Sequence, residues 1–173
     1  MEPNLLFSAE QIDQRVTALA TELEKRFAHD GPPHLIGVLK GGFVFLSDLI
    51  RACSSPVTID FVRIESYGAR MTSSCEPKLT DTAGNSLRDR DVVIVEDIVD
   101  TGRTLSTLHQ HILRQQPRNL YTIALLNKTA RRKVDVRIDL YGFNVTNQFV
   151  VGYGLDHNER YRQLPNLASI PSS

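Results

Sequence analysis

The sequence predicts an α/β fold, a mostly parallel twisted sheet with helices on both faces. Short apolar, β-branched runs at 35–39, 92–95 and 120–126 have the length and character of strands buried on both faces. Segments with helical periodicity alternate with such runs, an order that builds parallel sheets. Polar and charged residues follow several runs directly, at the carboxyl ends where open α/β sheets bind their ligands.

Residues 8–27 read as an amphipathic helix. Ile12, Val16, Leu19, Leu23 and Phe27 recur at three- and four-residue steps, and Ser8 with Gln11 makes a capping box. Asp30-Gly31-Pro32-Pro33 ends it. The strand at 35–39 is followed by Lys40-Gly41-Gly42 and a helix through Arg51, and Pro56 closes that stretch. Residues 57–65 alternate as a strand. Residues 66–85 are polar, include Gly68, Pro77 and Gly84, and hold no sustained period, so one long loop is expected, functional or disordered. After 92–95 a helix is expected over 101–116, halted by Pro117, with strands at 120–126, 137–141 and 149–153. Ser172-Ser173 should fray.

A chain of 173 residues is expected to form a single domain, 1–173, with an adequate core. Twenty basic and twenty acidic residues cancel, which argues against nucleic acid as the main partner. No apolar run has the length of a membrane span, and the first residues lack the blocks of a signal peptide. Cys53 and Cys75 form no metal-ligand or CxxC spacing, so a reduced, cytoplasmic protein without a membrane partner is expected. Neither a dinucleotide-binding nor a Walker-type glycine motif is present. His109 and His111 stand two apart on a helix and point to different sides, which argues against a metal pair.

The most informative stretch is Glu96-Asp97-Ile98-Val99-Asp100-Thr101-Gly102-Arg103-Thr104. An acidic cluster follows a buried strand, and a small hydroxylated turn then opens a helix. Such a turn offers backbone N–H groups to an anion, with Thr101 and Thr104 hydroxyls in support. Carboxylates beside a phosphate cradle repel the ligand unless they grip sugar hydroxyls, a cation or a proton. The pattern therefore describes a phosphorylated sugar held for chemistry. The competing reading is that Asp100 or Thr101 caps the helix while Glu96 and Asp97 are solvated. It accounts for one acid and leaves the others.

This stretch resembles the phosphoribosyl-pyrophosphate (PRPP) signature of the type I phosphoribosyltransferases. From about residue 35 to 164 the chain is similar to their hypoxanthine-guanine branch, in its bacterial form. The resemblance implies transfer of the phosphoribosyl group of PRPP to N9 of hypoxanthine or guanine, giving IMP or GMP plus pyrophosphate. It also implies the fold of that family, with a small hood formed by the terminal segments and a mobile lid loop over about 66–86 that contains Ser66 and Tyr67.

By the same resemblance, Thr101, Gly102, Arg103 and Thr104 belong to the 5′-phosphate cradle, and Glu96 and Asp97 to the ribose hydroxyls and their bound Mg²⁺. Asp100 lies near N7 of the purine as a proton partner, with its capping role an open alternative. Lys40 and Gly41 form a second anion site, for pyrophosphate, where the family's Leu39–Lys40 peptide can be cis. Lys128 donates to the purine O6, although periodicity alone reads it as the solvated start of the basic run Lys128, Arg131, Arg132, Lys133. Phe149 stacks on the base, Val150 offers backbone groups, Asp156 binds Mg²⁺ and Arg162 reaches pyrophosphate. A homodimer or homotetramer is implied. Two alternatives stay open: a PRPP- or nucleotide-sensing regulator without catalysis, and a xanthine-preferring relative.

Overall fold

A computed structural model describes residues 3–27, 31–65, 78–81 and 86–170. In chain order the elements are β1 (Asn4–Phe7), α1 (Ala9–Phe27), β2 (His34–Leu39), α2 (Phe43–Ala52), β3 (Thr58–Glu65), β4 (Lys78–Asp81) and β5 (Asp91–Val99). They continue with α3 (Arg103–Leu113), β6 (Asn119–Asn127), β7 (Leu140–Asn144), β8 (Phe149–Val151) and β9 (Leu167–Ile170). A six-stranded sheet runs β4-β3-β2-β5-β6-β7, parallel except for β4. A smaller antiparallel sheet, β1-β9-β8, joins the two ends of the chain as the expected hood.

Strand alternation sorts the core into two layers. Leu35, Val93, Val95, Ile123 and Leu125 pack on one face against Ile12, Val16, Leu19 and Leu23 of α1 and Phe45, Leu46 and Leu49 of α2. Ile36, Val38, Val92, Ile94 and Ala124 pack on the other against Leu105, Leu108 and Ile112 of α3. Both faces are apolar because both are covered, which is why these strands read as continuous hydrophobic runs. The capping box forms as expected: Ser8 N donates to Gln11 Oε1 at 2.9 Å and Gln11 N to Ser8 Oγ at 3.2 Å.

Several expectations are corrected. The loop expected over 66–85 is interrupted by β4, which pairs antiparallel with Val62–Glu65 of β3. Ser66 and Tyr67, the lid residues, lie outside the described residues. The signature strand does not stop at residue 95: β6 stays beside it, pairing Ile98 with Leu126 and Val99 with Asn127, so the acids sit within β5. The strand expected at 137–141 begins at Leu140, because Asp139 N donates to Thr122 O and the Asp139 carboxylate takes the Thr122 N–H (both 2.9 Å). The strand expected at 149–153 ends at Val151 and joins the hood, since Gly152 and Tyr153 turn to positive φ (96° and 48°). Helix α3 is shorter than 101–116 at both ends.

The order of the main sheet positions a crevice. From β2 the chain passes through α2 to β3 on one side; from β5 it passes through α3 to β6 on the other. The two strands pair only from His34–Gly37 with Val92–Val95. Beyond that point their carboxyl ends part, leaving the gap where such sheets bind ligands. Among the described residues no helix is long and apolar enough to cross a membrane.

Candidate functional site

The gap opens as two adjoining cavities of about 710 Å³ and 280 Å³, which share Leu39, Lys40, Gly41, Ile64, Asp97, Ile98 and Asp100. The smaller runs down to Glu96 and the turn Thr101, Gly102 and Thr104. The larger extends over Lys128, Arg131, Phe149, Val150, Asp156 and Arg162. Thus residues from β2, β5, the segment just after β6 and the hood meet in one place. Arg103, also expected in the site, lines neither cavity and starts α3 instead.

Glu96 and Asp97 are consecutive in a strand, so they point to opposite sides. Asp97 presses against the Lys40–Gly41 turn, where a Cβ on Gly41 would come within 1.5 Å of its Oδ2. Burial raises the Glu96 carboxyl well above the usual range, with the charge of Asp97 adding to it. Burial also raises Asp97, against the hydrogen bond its Oδ1 accepts from Ile98 N at 2.7 Å. Two adjacent carboxyls that the protein leaves short of cations suit hydroxyl donors or a cation brought by a ligand.

The turn after β5 is held from behind. Arg132 donates from Nε to Asp100 O (3.1 Å) and from Nη2 to Val99 O (3.1 Å) and Asn127 Oδ1 (2.8 Å). Lys133 N and Val134 N both donate to Thr101 O, at 3.0 and 3.1 Å. Gly102 is the residue preceding α3, in the left-handed region at φ 81°, and a Cβ there would stand 2.5 Å from Val134 O. Its glycine therefore answers to the turn and to the 132–134 loop as well as to any ligand. Among the described residues no side chain caps α3, so Asp100 is not a cap; Thr101 Oγ1 accepts a long bond, 3.4 Å, from Arg103 N.

Freed from capping, Asp100 faces cations. Its Oδ2 lies 3.6 Å from both Lys128 Nζ and Arg131 Nη1. Its Oδ1 is buried and has no hydrogen-bond partner among the described residues. Lys128 is not the solvated residue its basic neighbours suggest: it is buried, and its Nζ donates to Gln148 O at 3.0 Å. Across the cavity Phe149 is 42% exposed, with the His157 ring tilted against its ring at 5.1 Å between centroids. Val150 is buried behind it.

The third corner is an ion-pair chain. Lys40 Nζ lies 2.9 Å from Glu159 Oε1, and Arg162 Nη2 lies 2.7 Å from Asp156 Oδ1 and 3.4 Å from Glu159 Oε2. Arg162 Nη1 donates to Gly154 O at 2.7 Å, and Asp156 Oδ2 accepts from Glu159 N at 2.9 Å. The Leu39–Lys40 peptide is cis. Arg131, Glu159 and Ile98 join the site although sequence reasoning assigned them no role there. Arg131 and Glu159 carried a usable signal, as charges beside motif residues; nothing in the pattern marks which way Ile98 points.

The chain is also similar to known proteins in sequence and in fold. A family model described as the phosphoribosyl transferase domain matches residues 6–158. The chain is 40% identical over 166 residues to the hypoxanthine-guanine phosphoribosyltransferase of Aquifex aeolicus, covering 96% of this chain and 93% of the relative. With the Bacillus subtilis enzyme of the same name it shares 41% over 166 residues, covering 96% and 92%. A crystal structure of a hypoxanthine-guanine phosphoribosyltransferase from Bacillus anthracis, with HEPES in its active site, is similar at a TM-score of 0.92 and 40% identity, covering 98% of this chain and all of that one. A Trypanosoma cruzi hypoxanthine phosphoribosyltransferase, solved with its ternary substrates, gives 0.90 at 35% identity, covering 96% and 94%.

Proposed function

Since the chain belongs to the hypoxanthine-guanine branch of the phosphoribosyltransferase family, we infer that its crevice holds PRPP and a 6-oxopurine face to face. The protein is a purine salvage enzyme that transfers the phosphoribosyl group of PRPP to hypoxanthine or guanine, giving IMP or GMP and pyrophosphate. In this reading the base enters the larger cavity and the ribose 5-phosphate the smaller one. The single observation that carries it is Asp100, beside Lys128 and lining both cavities, whose buried Oδ1 has no hydrogen-bond partner among the described residues.

Each residue then has a physical task. The purine stacks on Phe149, whose ring is exposed into the cavity. The Lys128 ammonium donates to O6 and disfavours a 6-amino group, where donor would face donor. Asp100 Oδ1 accepts the proton at N7 while N9 bonds to C1′. The Thr101–Thr104 turn grips the 5′-phosphate, which fixes C1′ opposite the base. Val150 offers backbone groups to the purine edge. Lys40, Gly41 and Arg162 receive the departing pyrophosphate, Arg162 with a planar fork suited to it. Arg103, outside both cavities, is left with the helix start rather than the phosphate.

Mg²⁺ fits the donors present. Glu96, Asp97 and Asp156 are hard oxygen ligands lining the crevice, and no group of three or more such side chains clusters among the described residues. A magnesium ion held by one or two carboxylates, with substrate oxygens and water completing its shell, suits that arrangement. Bound there, it would neutralise charge on the pyrophosphate. We take the working form to be a cytoplasmic homodimer or homotetramer.

The test is pyrophosphate release from PRPP and Mg²⁺ with hypoxanthine, guanine, xanthine, adenine and uracil in parallel. Turnover with the 6-oxopurines, little with adenine and none with uracil is expected. Turnover led by xanthine would move the chain to a xanthine-preferring enzyme. No turnover with any base, while PRPP or a nucleotide still bound, would replace catalysis with sensing.

A further inference from the structure

Glu159 sits at the mouth of the larger cavity on an unusual piece of backbone. His157 N and Arg160 O, and Arg160 N and His157 O, exchange hydrogen bonds of 3.1 Å, and the two residues between them, Asn158 and Glu159, both have positive φ (53° and 60°). That is the pattern of a type I′ turn, normally built from glycine, asparagine or aspartate. A glutamate there is rare. The turn is anchored from below, because Glu159 N donates to Asp156 Oδ2 at 2.9 Å.

From this position the Glu159 carboxylate reaches two cations contributed by different parts of the chain. Oε1 takes Lys40 Nζ at 2.9 Å, from the turn after β2, and Oε2 lies 3.4 Å from Arg162 Nη2. The Lys40 contact is the main reason its carboxyl sits below the ordinary range. Lys40 and Arg162 are the two cations that the functional reading gives to pyrophosphate. The buried Arg162 Nε also has no hydrogen-bond partner among the described residues, so the guanidinium keeps donor capacity.

We propose that Glu159 is an internal stand-in for the leaving pyrophosphate: it bridges Lys40 and Arg162 and competes with the anion for them. The inference rests on the functional reading above. Its consequence is kinetic as well as thermodynamic. A carboxylate ready to reclaim both cations opposes pyrophosphate rebinding and speeds its departure. Stable ion pairing is not required, because the pair is exposed, at 52% for the Lys40 side chain and 67% for Glu159, and exposed pairs are weak. An easily broken contact is what an exchangeable placeholder needs.

The experiment is calorimetric titration of the full chain and its Glu159→Gln variant with magnesium pyrophosphate, and separately with GMP. Glutamine keeps the shape and removes the charge. Losing one negative charge beside a multivalent anion should tighten pyrophosphate binding by about 3- to 10-fold at low salt, less at high salt. GMP, whose phosphate belongs at the Thr101–Thr104 turn, should bind unchanged. Unaltered or weaker pyrophosphate binding would overturn the proposal and mean that Glu159 merely orders the two cations. Equal tightening of GMP would overturn it too, as a general charge effect. If the unsubstituted chain bound neither ligand, the functional reading itself would fall. Stopped-flow release of pyrophosphate, slower in the variant, is the expected second signature.

Discussion

Lys128 and Asp100 meet across the ends of two neighbouring strands, with Nζ 3.6 Å from Oδ2 while the same ammonium donates to Gln148 O at 3.0 Å. The lysine is buried, and the far oxygen of the aspartate has no hydrogen-bond partner among the described residues. One side chain is thus fixed as a donor and the other left as an acceptor, a few ångströms apart in the same wall. That is the complement of the O6 and N7–H edge of a 6-oxopurine.

Replacing Asp100 by Asn should lower kcat by about 10²–10⁴, the range for general acid–base groups. Thermal stability should change little, because Asp100 caps no helix. Steady-state kinetics with hypoxanthine beside a melting curve decides it. A large loss of stability with near-normal kcat would return Asp100 to a structural role.

Lys128→Met removes the buried donor. Hydrogen bonds to charged groups are worth about 1.5–3 kcal/mol, so kcat/KM for hypoxanthine should fall roughly 10- to 100-fold. Discrimination against adenine should narrow, since the mismatched donor has gone. The ratio of kcat/KM for the two bases is the quantity to measure.

Gly41→Ala places a Cβ onto Asp97 Oδ2. The flexible carboxylate can move, so the cost to folding should be about 1–3 kcal/mol, the usual range for overpacking. The larger effect should fall on the site: KM for PRPP rises because the turn and Asp97 are displaced together. An unchanged KM would separate this turn from PRPP binding.

Arg132→Ala should act on the signature turn without touching substrate. Three hydrogen bonds donated to Val99, Asp100 and Asn127 are lost, two of them accepted by backbone carbonyls. A stability loss of about 1–3 kcal/mol is expected from the groups left without partners. A lower kcat with modest change in KM should accompany it, read from urea unfolding and kinetics on the same preparation.

Away from the site, the pair Arg118–Asp91 sets a pH dependence of stability. Arg118 binds the buried Asp91 carboxylate through Nε at 3.1 Å and through Nη2, and Asn119 Nδ2 adds a bond of 2.8 Å. The Arg118 hydrogen bond is the chief cause that lowers the Asp91 pKa. A lowered folded-state value means the contribution is complete above the unfolded aspartate pKa of about 3.9 and is lost as pH falls through the folded one. Arg118→Ala should therefore cost about 1–3 kcal/mol at neutral pH, discounted because the arginine is half exposed. The difference from the unsubstituted chain should shrink in acid; one that persists at the lowest measurable pH would exclude this linkage.

The main sheet, the helices and most of the candidate site's lining were legible along the chain. Buried parallel strands need apolar residues on both faces, so Val92-Val93-Ile94-Val95 and Leu120–Leu126 were legible as local runs. Helix α1 was legible because one face must be apolar and its start needs Ser8 and Gln11. The signature was legible because acids and hydroxyls cluster after a strand. The rest came from long-range contacts. Asp100 is released from capping by a left-handed Gly102, and Lys128 is buried by Gln148 rather than solvated with its basic neighbours. Phe149–Val151 leaves the main sheet for a hood completed by residues near both chain ends. The pairing of Lys40 with Glu159, 119 positions apart, brings the turn after β2 against the turn after Asp156. Local patterns report what a residue can do within a few neighbours along the chain. Contacts that are distant in sequence depend on how layers pack, and no short-range period records that.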